Sequence, residues 1–102
     1  MQNITVTQLK ERIDAGEILN LIDVREPHEY VEFNIGAQLI PLGKIQQMDI
    51  DDIEHLRTQE VIIHCRSGVR SNTACLMLEQ MGFTNTKNVT GGMLAYIEKY
   101  GG

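Results

Sequence analysis

The chain has 102 residues, a formal net charge of −5, 42% hydrophobic and 23% charged residues. That length suits one domain over residues 1–102, large enough to bury a core without metal or disulfide staples. The acidic balance argues against nucleic acid or an anionic membrane surface as a bulk partner.

The first residues, Met1 to Thr5, have neither a basic region nor a long apolar stretch, so no signal peptide or membrane helix is expected there. Val6 leads into Thr7, a good helix N-cap, and Leu9 and Ile13 then share one face of a short helix that stops at Gly16. Ile18 to Val24 is apolar except for Asn20 and Asp23, a pattern that predicts a strand covered on both faces. Pro27 fits the first turn of a helix carrying Tyr30, Val31 and Phe33. Leu39-Ile40 reads as a brief strand closed by Pro41. Ile45, Met48, Ile53 and Leu56 suggest one or two short helices around a solvated acidic turn, Asp49 to Asp52.

Val61 to His64 reads as the next buried strand. From Ser71, the residues Ala74, Met77, Leu78 and Met81 follow helical spacing, and Gly82 fits the position just past the helix end. Asn88-Val89 reads as a short strand. Met93, Tyr96, Ile97 and Tyr100 repeat the helical spacing after Gly91-Gly92, with the first three expected in the core. Strands alternating with helices predict an α/β fold, with a mainly parallel central sheet and helices on both faces. Ligands in such folds bind beyond the carboxyl ends of the strands. The loop after Val61–His64 belongs there, and so do Asp23 and Arg25.

Cys65 is the most informative residue. It sits between the end of a buried strand and the start of a helix, in Cys65-Arg66-Ser67-Gly68-Val69-Arg70. A helix N-terminus offers unpaired N–H groups and partial positive charge, and two arginines stand nearby. Such surroundings pull a thiol from roughly 8.5 to about 7 or lower. The same donors can hold an anionic substrate above the sulfur. The chain has two cysteines, without C-x-x-C or zinc spacing. No disulfide framework or metal site is expected, and a reducing, cytoplasmic setting is the default. Cys75 falls near the apolar helix face and reads as a small core residue.

The Cys65 loop resembles the active-site loop of the rhodanese (thiosulfate sulfurtransferase) family, single-domain type. Leu21 to Tyr30 is similar to the family's D-V-R segment followed by E-[FY]. Gly36-Ala37-Gln38-Leu39-Ile40-Pro41-Leu42 is similar to its G-A-x-x-I-P-L segment, and Gly91 to Tyr96 resembles its G-G-x-x-x-W segment. Four such pieces, in the family's order, span most of the chain. Two departures stand out. Glu32 to Ala37 lacks the histidine and proline of G-H-I-P-G-A, and Tyr96 replaces the tryptophan.

The resemblance implies a rhodanese-like domain in which Cys65 is the nucleophile. Loop N–H groups from Arg66 through Ser67, Gly68, Val69 and Arg70 to Ser71 would cradle a persulfide. Arg66 and Arg70, the latter favoured because it closes the loop, would attract a small anionic donor such as thiosulfate. Ser67 or Ser71 would add a hydroxyl hydrogen bond. An acceptor thiol, or cyanide in vitro, would take the sulfur, with no metal or organic cofactor. Asp23 and Arg25 are expected to support structure, Arg25 pairing with Glu29 or with loop backbone. His64 is expected to point away from Cys65 as a satisfied, semi-buried histidine, and His28 and His55 to lie on the surface. Nothing in the pattern demands more than a monomer or weak dimer.

Two alternatives compete. A thiol-based phosphatase or arsenate reductase is disfavoured by loop length, because the related phosphatases place their arginine where this chain has Ser71. A sulfur-relay or binding module without turnover is compatible with the same loop.

Overall fold

A computed structural model describes residues 1–101. In chain order they form β1 (Gln2–Ile4), α1 (Val6–Asp14), β2 (Leu21–Asp23), α2 (Pro27–Glu32), β3 (Gln38–Leu39) and α3 (Leu42–Gln46). A 3-10 helix (Asp51–Leu56), β4 (Glu60–His64), α4 (Val69–Gln80), β5 (Asn85–Val89) and α5 (Gly92–Tyr100) follow. The five strands make one sheet in the order β1-β5-β4-β2-β3, and every pairing is parallel.

The central strand explains the sheet. Val61 to His64 are all buried, because β4 pairs on both edges and is covered on both faces. Val61 and Ile63 face a core built with Ile45, Ile53, Ala74 and Leu78, which are carried by α3, the 3-10 helix and α4. Ile62 faces the opposite core, built with Leu9 of α1 and Met93 and Tyr96 of α5. Full burial of such an aliphatic side chain contributes roughly 1.5–3 kcal/mol. The alternation also sends Cys65 toward α4 and His64 toward the other layer.

Several expectations need correction. The N-cap of α1 is Thr5, not Thr7. Thr5 Oγ1 accepts from Gln8 N at 3.0 Å and Gln8 Oε1 accepts from Thr5 N at 2.8 Å, a reciprocal capping box. The preceding Gln2–Ile4 pairs with Lys87–Val89, a strand whose single apolar residue gives no periodic signal. Ile18 is fully exposed, not part of β2. The chain leaves α1 through Gly16 over the surface, and its first bond to β4 is Ile62 N to Asn20 O at 2.8 Å. Met48 is exposed, at φ 60°, because it ends the α3 turn and does not enter the core. The acidic residues lie outward, but Asp51 and Asp52 already belong to the 3-10 helix, held by Ile50 and Ile53 underneath. Ile97 is 37% exposed at the edge of α5, while Met93 and Tyr96 are core.

Candidate active site

The site forms where β4 gives way to α4. Helix α4 starts at Val69, two residues before the expected Ser71, with Gly68 as its N-cap at φ 98°. Only glycine occupies that conformation without strain. It bends the chain so that Gly68 N reaches back to Cys65 Sγ at 3.1 Å, and Ser71 N does so at 3.3 Å. The first backbone bond of α4 is Asn72 N to Gly68 O at 3.1 Å, so the preceding amides at the helix start remain available for the sulfur or an anion.

Helix α5 sets the direction of the loop's other peptides. Met93 N donates to Cys65 O and Leu94 N to Arg66 O, each at 2.9 Å. Those carbonyls therefore face α5, and the peptide N–H groups on their far sides turn toward the centre of the loop. The close approach depends on Gly92. A Cβ there would lie 2.5 Å from Cys65 O and 2.6 Å from Arg66 C and O.

Cys65 is a free thiol, only 1% exposed. Burial raises its pKa. Hydrogen bonds from the Ser71 hydroxyl, when turned to the sulfur, and from the amides of Ser71, Gly68 and Ser67 lower it and prevail, so the thiol titrates below its ordinary value. The Ser71 Oγ to Sγ distance is 3.4 Å. The start of the twelve-residue α4 adds the favourable end of a helix dipole.

The loop residues divide by role. Cys65, Gly68 and Ser71 meet at the sulfur. Ser67 is exposed and directs its backbone, not its hydroxyl, to the site. The Val69 side chain is 71% exposed at the rim. Arg66 is exposed beside a cleft of about 590 Å³, together with Glu29, Glu32, Met93, Leu94 and Ile97. Arg70 is not free: its Nη1 and Nη2 donate to Glu29 Oε1 and Oε2 at 2.7 and 2.9 Å.

That pairing removes the Glu29 carboxylate from Arg25, which was expected on Glu29 or on loop backbone. The Arg25 Nη2 and Nε grip the carboxylate of buried Asp23 at 2.8 and 3.0 Å, while Phe33 O accepts from Nη2 at 2.6 Å. Its contact with Glu29 is to the main-chain carbonyl, at 3.4 Å. Asp23 and Arg25 thus fasten both ends of the α2 segment that carries Glu29. His64 points away from the sulfur as expected, but it is fully buried and neither ring nitrogen has a partner. Its Nδ1 lies 3.9 Å from Asp23 Oδ2, beyond hydrogen-bond reach. Burial, the largest influence, holds its pKa at about 4. His28 and His55 are exposed. Cys75 is buried, and burial pushes its thiol up to about 12. Tyr96 is 8% exposed and packs on Phe33 with ring centroids 6.2 Å apart, so it lies in the layer beneath the cleft.

Asn88 is a site neighbour that sequence reasoning passed over. Its Oδ1 accepts from Ser71 Oγ at 2.5 Å, and its Nδ2 donates to Gly68 O at 3.3 Å. The signal was a polar residue beside apolar Val89 in an expected strand, since a polar side chain buried there requires partners.

The chain is similar to known proteins over most of its length. The family profile described as "Rhodanese-like domain" matches residues 5–99. A Bacillus subtilis protein named as a candidate sulfurtransferase, YtwF, is 41% identical over 98 residues, covering 94% of this chain and 90% of the relative. A mitochondrial protein of Schizosaccharomyces pombe, named as a candidate thiosulfate sulfurtransferase, is 35% identical and covers 92% of this chain and 74% of its own. A rhodanese-like domain protein from Staphylococcus aureus superposes with a TM-score of 0.82 at 30% identity, covering 94% and 91% of the two chains. The chain belongs to the rhodanese-like domain family, an α/β fold with a five-stranded, all-parallel sheet flanked by helices. Among the described residues no helix is long and apolar enough to cross a membrane.

Proposed function

We propose that this chain transfers a sulfane sulfur from a small anionic donor such as thiosulfate to an acceptor thiol, through a persulfide on Cys65. The observation that carries the reading is the pair of backbone N–H groups, from Gly68 and Ser71, donated to a recessed Sγ at the start of α4. They stabilise the thiolate, which is the attacking form.

In the first half-reaction the Cys65 thiolate attacks the outer sulfur of thiosulfate. A new S–S bond forms to Cys65, the donor's S–S bond breaks, and sulfite leaves with the electron pair. In the second, an acceptor thiolate or cyanide attacks the outer sulfur, and the Cys65 thiolate departs. This is covalent catalysis with ping-pong kinetics. The amides from Arg66 to Ser71 hold the outer sulfur, and Arg66 draws in the anionic donor. Asp23 and Arg25 support α2. The cycle uses no metal or organic cofactor. It requires a free thiol, which a reducing compartment such as the cytoplasm maintains.

The test is intact-protein mass spectrometry after thiosulfate treatment, on wild type and Cys65→Ala. One added sulfur atom on wild type alone, removed by cyanide as thiocyanate, is the expected result. No adduct on either protein would overturn the thiosulfate reading and turn attention to phosphate esters, arsenate and a binding role.

A further inference from the structure

The Ser71 hydroxyl stands between two groups that both want its proton. Its Oγ is 2.5 Å from Asn88 Oδ1 and 3.4 Å from Cys65 Sγ. A hydroxyl has one proton to give. Asn88 Oδ1 is an acceptor only, so a bond to it needs the Ser71 proton. The amide orientation that makes it so is fixed from behind. Asn88 Nδ2 donates to Gly68 O and to Asn3 Oδ1, each at 3.3 Å. Turning the amide over would place Asn88 Oδ1 against the Gly68 carbonyl, two acceptors face to face. With its proton on Asn88, Ser71 Oγ offers a lone pair to Cys65, which suits a protonated thiol and opposes a thiolate.

We propose that Asn88 is a positioning residue for the sulfur chemistry: it holds the Ser71 hydroxyl proton while Cys65 is a thiol and yields it when the sulfur becomes anionic. Ser71 is then a rotor, not a fixed donor. When Cys65 loses its proton to solvent, the hydroxyl hydrogen turns about the Cβ–Oγ bond from Asn88 Oδ1 to Sγ. The thiolate gains a hydroxyl donor beside the loop amides, and the Ser71–Asn88 bond is the cost. A persulfide anion on Cys65 draws the same turn. Asn88 keeps its hold on Gly68 O throughout, so the N-cap of α4 does not move. The inference rests on Cys65 being the sulfur carrier, but its test involves no sulfur donor.

The test is the pH dependence of Cys65 alkylation, followed by mass spectrometry on the full chain. Removing the competing acceptor in Asn88→Ala spares the thiolate the loss of one neutral hydrogen bond, so the thiolate fraction at a fixed pH below the midpoint is expected to rise roughly fivefold. The gain must vanish in a Ser71→Ala background, because no hydroxyl is left to release. A merely structural role for Asn88 would act equally with or without Ser71. Asn88→Leu, which keeps the branched shape and lacks the acceptor, gives the same test should the alanine variant not fold. An unchanged or upward midpoint in Asn88→Ala or Asn88→Leu overturns the proposal, as does a shift of equal size in the Ser71→Ala background. Failure of thiosulfate loading in wild type, by contrast, leaves this titration intact and refutes only the sulfur-transfer reading.

Discussion

Glu29 and Arg70 meet as a two-pronged pair, Oε1 to Nη1 at 2.7 Å and Oε2 to Nη2 at 2.9 Å, joining α2 to the first turn of α4. The carboxylate also accepts from Glu26 N at 3.0 Å, so one side chain caps its own helix and anchors the active-site loop. The α2 segment is fixed in turn by Arg25, which binds Phe33 O while gripping Asp23. Arg70 therefore closes the loop mechanically, and its charge is largely spent. Arg66 is exposed beside the cleft, and under the proposed sulfur transfer it is the loop cation that meets an anionic donor.

The two arginines should separate kinetically. Arg66→Ala is expected to raise the KM for thiosulfate about tenfold with kcat little changed, the signature of lost ground-state binding. It should also reduce the sensitivity of KM to salt, because an exposed charge acts through screened Coulomb attraction. Arg70→Ala should lower kcat and stability instead. Steady-state kinetics at low and high ionic strength check this. A larger KM effect at Arg70 than at Arg66 would reverse the assignment.

Glu29 gives the pair a pH signature. Arg70, the first cause, holds its carboxyl at about 2, below the unfolded value of 4.5. A lowered carboxylate pKa stabilises the fold fully above 4.5, and that stability fades as pH falls toward 2. The pair is partly solvated, so the effect is on the order of 1 kcal/mol, not the full shift. Urea unfolding should show Glu29→Gln less stable than wild type by about that amount at neutral pH. The gap should close as the medium is acidified through this window. A gap that persists at the acid end would mean that packing, not charge, is what the substitution removes.

Much of this was legible in the sequence, for reasons that also explain what was not. Val61 to His64 announced a buried strand because four consecutive covered residues leave no room for polar alternation, and Gly68 announced a tight loop because of its permissive backbone. The Cys65 loop was readable because its neighbours in space are its neighbours in sequence. Partners brought from elsewhere were not. Arg25 was expected on Glu29 or on loop backbone; it does bond the Phe33 carbonyl, but its carboxylate partner is Asp23, two residues away on the same strand end, and Glu29 pairs with Arg70 across a separation of 41 residues. Asn88 reaches Ser71 only because β5 lies beside β4. Strand β1 carries too few apolar residues to show a period. Its place comes from pairing with β5 and from Ile4 packing on the core beneath.

His64 should make the protein acid-sensitive. Its folded pKa is about 4 because burial opposes the charged ring, against 6.5 in an accessible state. A lowered histidine pKa leaves stability intact above 6.5 and erodes it as pH falls toward 4, since only the unfolded chain then takes up the proton. The full loss is on the order of 3 kcal/mol. His64→Leu should flatten the stability profile across that range. It should cost little at neutral pH, because the ring nitrogens have no partners to lose. Unfolding midpoints at several pH values decide this. A profile as steep in His64→Leu as in wild type would assign the acid sensitivity elsewhere.

The two thiols should behave differently under native conditions. Cys75 is held near 12 by burial, whereas the donors around Cys65 outweigh burial and lower its pKa. Iodoacetamide at neutral pH, followed by peptide mapping, should therefore mark Cys65 and leave Cys75 untouched until the chain is unfolded. Cys75→Ala should keep sulfur loading intact. Native labelling at Cys75 would show that α4 opens far more readily than its packing implies.

Two glycines with positive φ offer a controlled comparison. Gly16, at φ 80°, has open space where a Cβ would be, so Gly16→Ala meets only the conformational penalty, about 1 kcal/mol. Gly92, at φ 56°, has the Cys65 and Arg66 backbone in that space, and neither can yield like a flexible side chain. Gly92→Ala should add an overpacking cost of about 1–3 kcal/mol. The decisive effect is geometric. To admit the methyl group, α5 must draw back from the carbonyls that orient the loop amides, and displacement of about 1 Å at a reacting centre costs about 100-fold in rate. Sulfur loading of Cys65 should fall by that order in Gly92→Ala and remain at the wild-type rate in Gly16→Ala. Equal loading rates in the two variants would show that the loop holds its N–H groups around the sulfur without α5.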